Sequence, residues 1–320
     1  MTVCLPICFA DRVSLSSEER LAVEKLIAEC VSVDHFDPCM EFDTHLNANR
    51  DIPSWRLAWA IPAGTASCPA VAPDPEESSG SSRILAGAAC VFAPGRAEGE
   101  ISACVSPVFR HQGIFRELYH SLADALFRSG ATSVMLVCEG ASPSAAAIAA
   151  RLGAVPDHGE YLMSLPGDRL AAISAPRDLR LVPVSKLDLD EFAVLSAEVF
   201  SERHDDAREF ALAILSDPER EQFVARGSGG VFGLVALAKE NRSYMLHGLG
   251  VLPSLRGKGL GGAILDAALV VLRNRGATGI SLEVDVDNPA ALALYRSRGF
   301  VEESRVDYWR IHGPHSSDGL

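Results

Sequence analysis

The stretch Leu249-Gly-Val-Leu-Pro-Ser-Leu-Arg-Gly-Lys-Gly-Leu-Gly-Gly262 decides how this 320-residue chain is read. An apolar run from Tyr244 to Val251 is stopped by Pro253, which has no N–H to give a central strand. Gly257, Gly259, Gly261 and Gly262 follow, and the apolar spacing then becomes helical through Leu260, Ile264, Ala268 and Leu272. The pattern predicts a strand, a glycine-rich turn and a helix N-terminus. Glycines there let backbone N–H groups approach a ligand, the helix end adds partial positive charge, and Arg256 and Lys258 add formal charge. A pocket for a pyrophosphate fits these features. No Gly-Lys-Ser/Thr closes the loop as in a P-loop. The glycines at 257, 259 and 262 spell G-x-G-x-x-G, but no acidic residue ends a second strand about 20 residues on, as a dinucleotide ribose would require.

Downstream, the segment from Leu282 to Phe300 contains Asn288, Ala291, Leu294, Tyr295, Gly299 and Phe300. Together with Arg256, Gly259 and Gly261, these residues resemble the two signatures of the GNAT superfamily of acyl-CoA N-acyltransferases. The first reads Arg/Gln-x-x-Gly-x-Gly/Ala and the second Asn-x-x-Ala-x-x-Leu-Tyr-x-x-x-Gly-Phe.

The resemblance implies acetyl-CoA as co-substrate and an amine as acceptor. It places pantetheine along Leu249, Gly250 and Val251 as an added strand. The pyrophosphate then lies on Arg256, Gly257, Lys258, Gly259, Leu260, Gly261 and Gly262. Asn288 resembles a residue that touches the CoA arm, and just before Pro289 it also reads as an N-cap. Tyr295 is implied as the acid that protonates the departing thiolate. An attacking amine must be neutral, so a base near the nitrogen helps. Glu283 sits in a Leu-Glu-Val strand similar to that of the ribosomal-protein N-terminal acetyltransferases. His247, four residues before Val251, shares a sheet face with it and is the second candidate. Ordered water is a third route for the proton. No metal is expected.

Shifting the chain by 146 residues superimposes its halves without a gap: Val105 falls on Val251, Pro107 on Pro253, Arg110 on Arg256, Gly113 on Gly259 and Gly153 on Gly299. Ile114, Leu118, Leu122 and Leu126 repeat the apolar face of the later helix. This predicts two tandem GNAT folds of the mixed α+β class, each a mostly antiparallel sheet flanked by helices. The expected domains are a degenerate copy over 1–168 and a catalytic copy over 176–313, joined by a linker from Pro166 to Asp178. In the first copy Phe115 replaces Gly261, Ser142 replaces Asn288, Val137 replaces Glu283 and Ala149 replaces Tyr295. That copy is expected to support structure or shape a substrate groove.

Composition sets the outer bounds. Hydrophobic residues at 48% and charged residues at 22% suit a globular protein. With 42 acidic against 29 basic residues the net charge is −13, which disfavours nucleic acid and anionic membrane and tolerates a cationic amine. No apolar run reaches the length of a membrane span. Met1 to Phe9 lacks a basic start and meets Asp11, so no signal peptide is expected. All eight cysteines precede residue 139 without a C-x-x-C pair, so neither a metal site nor a disulfide framework is expected and the cytoplasm is the default. Ser16 or Ser17 is expected to cap a helix from Leu15 to Val31, and Pro62 to Ser82 reads as a mobile loop.

The leading expectation is an N-acetyltransferase acting on a peptide N-terminus or a small amine. Two alternatives stand beside it. One is similar to the tandem GNAT proteins that make mycothiol by acetylating a cysteinyl-aminosugar. The other is a protein that binds acyl-CoA without turnover.

Overall fold

The computed structural model describes residues 5–61, 83–174, 176 and 178–313. The loop reading for Pro62 to Ser82, like Cys4 and Cys68, lies outside the described residues. The chain forms two compact units, one of residues 1–157 and 306–320, the other of residues 158–305.

The first unit begins with β1 (Ile7–Arg12) and α1 (Ser17–Asp34). Ser16 caps α1 in a capping box with Glu19, satisfying two of the free N–H groups at its start. β2 (Trp55–Ala60), β3 (Ile84–Phe92), β4 (Glu98–Val105), α2 (Ile114–Arg128), β5 (Ser133–Glu139) and α3 (Pro143–Leu152) follow. β1 to β4 pair antiparallel in sequence order, and β4 and β5 are parallel. α2 lays Ile114, Leu118, Leu122 and Leu126 on the sheet, while α1 buries Val23, Leu26 and Cys30 against Trp55, Leu57 and Cys104 in a separate cluster.

β6 (Val155–Pro166) leads into the second unit. There follow β7 (Arg180–Pro183), α4 (Leu189–Phe200), α5 (His204–Ile214), β8 (Arg220–Gly227), β9 (Gly230–Glu240), β10 (Ser243–Val251), α6 (Leu260–Asn274), β11 (Gly279–Asp285), α7 (Pro289–Ser297) and β12 (Val301–His312). The plan repeats: β7 to β10 are antiparallel neighbours and β10 and β11 are parallel. β6 pairs antiparallel with β11 inside this unit. The strand after α7 ends in the first unit, where Val306 to His312 pair antiparallel with β5. α6 packs Ile264, Leu265, Ala268, Leu269 and Leu272 on one face of the sheet, and α4 covers the other with Phe192, Leu195 and Val199. α2 and α6 are offset by the same 146 positions as their sequences, and each starts behind a left-handed glycine, Gly113 and Gly259.

Two expectations are revised. The segment read as a linker is packed in the second unit: residues Gly167–Ala172 form a 3-10 helix, Leu170 is buried, and Arg273 donates to the carbonyls of Leu170 and Ile173. Cys8 on β1 is disulfide-bonded, whereas Cys30, Cys90, Cys104 and Cys138 are free thiols.

Candidate active site

β10 carries the irregularity on which the site depends. Its ladder with β9 pairs Ser243 through His247 with Glu240 through Ala236, then resumes with Gly250 opposite Leu234. Three steps along β10 face two along β9, so the strand bulges by one residue at Gly248 and Leu249. Gly248 adopts φ 54°, the left-handed region. The parallel ladder to β11 ends at Leu246 opposite Leu282, so the two strands part where the bulge begins. Gly248 and Leu249 therefore have a place in neither ladder. The corresponding strand of the first unit is regular: β4 pairs step for step with β3 through Ser102, Ala103 and Cys104.

After the bulge come a 3-10 turn at Pro253–Leu255 and the glycine loop. Gly257 and Gly259 hold φ of 74° and 76°, with open space where a Cβ would stand. α6 starts at Leu260 with no side-chain cap and no acidic residue in its first turn, and its first backbone bond runs from Ala263 N to Gly259 O. The N–H groups of Leu260, Gly261 and Gly262 thus lack helical acceptors and point outward with the positive end of the helix dipole. At Gly261 a methyl would make only ordinary contact, 3.8–3.9 Å from Leu294, Val251 and Leu249. Gly262 has a packing duty, since a Cβ there would meet Arg298 at 3.1 Å and Leu294 at 3.3 Å. Lys258 is exposed and reaches the Ser254 carbonyl at 3.4 Å.

Arg256 is engaged internally. Its Nε donates to the Val251 carbonyl at 3.0 Å and its Nη2 to the Val199 carbonyl at 2.6 Å, strapping the end of α4 to the end of β10. Arg110 repeats the device, with Nε on the Val105 carbonyl and both terminal nitrogens on Asp34 at the end of α1. Sequence reading missed this role, and it missed Val199 and Phe200 at the bulge. The signal available was the alternation of Gly248 and Gly250 within a strand, a mark of close approach.

His247 and Glu283 share one face of the sheet. Tyr244 and Leu246 of β10 and Ile280, Leu282 and Val284 of β11 face the α6 and α7 side. By alternation His247 and Glu283 stand on the opposite face, each one position beyond the last β10–β11 pair. The bulge returns Val251 to the α6 side, so His247 does not share its face as the four-residue spacing predicts. Burial, with Arg220 nearby, pushes the His247 imidazole down to about 4, so it is neutral at physiological pH. Its buried Nε2 has no hydrogen-bond partner among the described residues. Tyr295 lies across the sheet on α7, packed edge-on against Phe300 at 5.8 Å. Burial pushes its phenol up to about 12. Asn288 caps α7 by accepting from Ala291 N at 3.0 Å. Among the described residues no group of three or more His, Cys, Asp or Glu side chains is placed to hold a metal, and no helix is long and apolar enough to cross a membrane.

The model of the Acetyltransferase (GNAT) family matches this chain twice, over residues 37–154 and 185–300. The chain belongs to the GNAT family. The mycothiol acetyltransferase of Clavibacter michiganensis subsp. michiganensis is 31% identical over 234 residues, covering 68% of this chain and 74% of that protein. N-alpha-acetyltransferase RimI of Mycobacterium tuberculosis is 36% identical over 104 residues, 31% of this chain and 64% of that protein. A tandem GNAT protein from the clavulanic acid biosynthesis pathway shares the fold with a TM-score of 0.65 at 20% identity, over 97% of this chain and 99% of its own. This protein is therefore a tandem GNAT acetyltransferase, and its family uses acetyl-CoA as co-substrate.

The two GNAT copies differ at the glycine loop. In the first, His111 takes the left-handed place of Gly257 with φ 63°, and Phe115 stacks on Tyr119 at 6.2 Å where the second has Gly261 and Leu265. The backbone turn survives in both, while its seat is open in one.

Proposed function

We propose that the second copy is the catalytic one and moves an acetyl group from acetyl-CoA to a primary amine. The observation that carries this reading is the bulge of β10, absent from β4. It frees backbone groups at the place where β10 and β11 part.

The chain's groups fit that substrate. The uncapped N–H groups of Leu260, Gly261 and Gly262, with Gly257, Gly259 and the exposed Lys258, suit a pyrophosphate. Arg256 shapes this loop through its two carbonyl bonds. Leu249, Gly250 and Val251 lie alongside the pantetheine arm, and Asn288, its oxygen spent on α7, keeps its amide N–H groups for it. The amine approaches on the face of Glu283 and His247. Glu283 takes the proton that the nitrogen sheds as the C–N bond forms. Tyr295 supplies a proton to the sulfur as the C–S bond breaks, and the burial that raises its pKa keeps it protonated at every working pH. His247, neutral and weakly basic, is the second candidate for the base.

The acceptor is an amine of a peptide N-terminus or a small metabolite. A second reading is acetylation of the cysteinyl-aminosugar on the way to mycothiol. The extent of likeness favours it, since the mycothiol acetyltransferase matches over 68% of this chain and the N-alpha-acetyltransferase over 31%. The test is release of free thiol from acetyl-CoA by the full chain with a panel of N-terminal peptides, simple amines and cysteinyl-aminosugar. Release with at least one acceptor is expected. Binding of acetyl-CoA with no release from any member would overturn the reading in favour of a non-catalytic binder.

A further inference from the structure

The bulge has a side chain resting on it. An ideal Cβ at Gly250 would stand 2.2 Å from Val199 Cγ1 and 3.1 Å from Phe200 Cε1 and Cζ. One at Gly248 would stand 3.7 Å from Phe200 Cζ and 4.0 Å from its Cε2. Gly250 is thus needed for the end of α4 to settle onto the bulge, while at Gly248 a Cβ would only touch the ring at ordinary contact distance. The last residue of α4 is held there from two sides. Val199 is buried against Leu234, and its carbonyl receives the Arg256 guanidinium at 2.6 Å. Phe200 itself is 44% exposed, so one edge of its ring is wet while the other covers Gly248 and Gly250. In the first copy the matching positions are Ser102 and Cys104, whose side chains are themselves buried on a regular strand.

This contact bears on the donor. The pyrophosphate seat lies at the start of α6, just beyond the end of β10. An arm that leaves this seat and runs back along Val251, Gly250 and Leu249 brings its thioester to Gly248. The Phe200 ring covers the α4 face of the strand at this point. We propose that Phe200 is the residue that limits acyl length, closing the donor site behind a short acyl group such as acetyl and excluding chains of six carbons. The inference rests on the site reading given above. It adds a specificity determinant that lies in neither family signature and that decides among donors of equal chemistry.

The experiment compares binding of acetyl-CoA and hexanoyl-CoA to the full chain by calorimetry, which requires no knowledge of the acceptor. The wild-type protein should bind hexanoyl-CoA at least about tenfold more weakly than acetyl-CoA, within the range that pocket shape commonly supplies. Phe200→Ala should move this ratio toward hexanoyl-CoA by about tenfold or more. Phe200→Leu should move it part of the way, and reads the same effect should the alanine variant not fold. Phe200→Trp should move it in the opposite direction. A ratio that stays within about twofold of wild type in both Phe200→Ala and Phe200→Leu, with acetyl-CoA still bound, would overturn the role of Phe200 and leave the site reading intact. Wild-type protein that binds neither thioester would overturn the site reading and this proposal with it.

Discussion

Glu283 and His247 stand on one face of the sheet, and Tyr295 lies across the sheet from them. Their environments give each a different expected signature. Tyr295→Phe should lower kcat by about 10²–10⁴-fold with little change in KM for acetyl-CoA, since its proton is required only as the C–S bond breaks. Because the phenol titrates near 12, it should add no alkaline limb to the pH–rate profile below about pH 10. His247 cannot supply a limb near its ordinary value, because burial holds its imidazole near 4; it loses its proton well below neutrality and stays neutral above. An imidazole near 4 and an ordinary carboxylate titrate in the same range, so mutation separates them. With Glu283 as the base, Glu283→Gln should remove the acidic limb of kcat/KM and His247→Ala should leave it. The reverse pattern would assign the base to His247. Tyr295 and Glu283 could be singled out in sequence because they sit inside a spaced motif and a Leu-Glu-Val strand. The depressed imidazole could not, because its cause is burial beside Arg220, two strands away.

At the scale of elements, the strand, turn and helix of residues 249–262 were legible because each depends on local chemistry: a proline that ends the strand, left-handed glycines, and a change of apolar period. The bulge was not legible, since it is a mismatch between two strands and exists only in their pairing. Nor was the bonding of Arg256. The motif arginine reads as a ligand for phosphate, and two of its five N–H donors also hold backbone carbonyls that join α4 to β10. Its loss should accordingly be felt in stability as well as binding. Arg256→Met leaves those carbonyls without their charged donor, which typically costs about 1–3 kcal/mol. Denaturant unfolding of the variant should show that loss, with acetyl-CoA binding weakened as the end of α4 loosens. Unchanged stability with binding alone reduced would mean that Arg256 acts on the phosphates directly.

At the scale of the whole chain, the repeat was visible in sequence because glycine, proline and arginine kept register over a shift of 146 residues, and α2 and α6 reproduce that shift. The limits of the compact units were not visible. They depend on which strand pairs with β5 and which with β11, and those partners are Val306 to His312 and the latter part of β6. The two copies keep the same turn and the same arginine strap. They part at the bulge, at Phe115 in place of Gly261, and at the residues proposed to move protons. The proposal of a single catalytic copy predicts one acetyl-CoA site per chain, and calorimetric titration of the full chain measures it directly. The expected result is one site per chain, abolished by Gly261→Phe. A stoichiometry of two, or binding that survives Gly261→Phe, would contradict it.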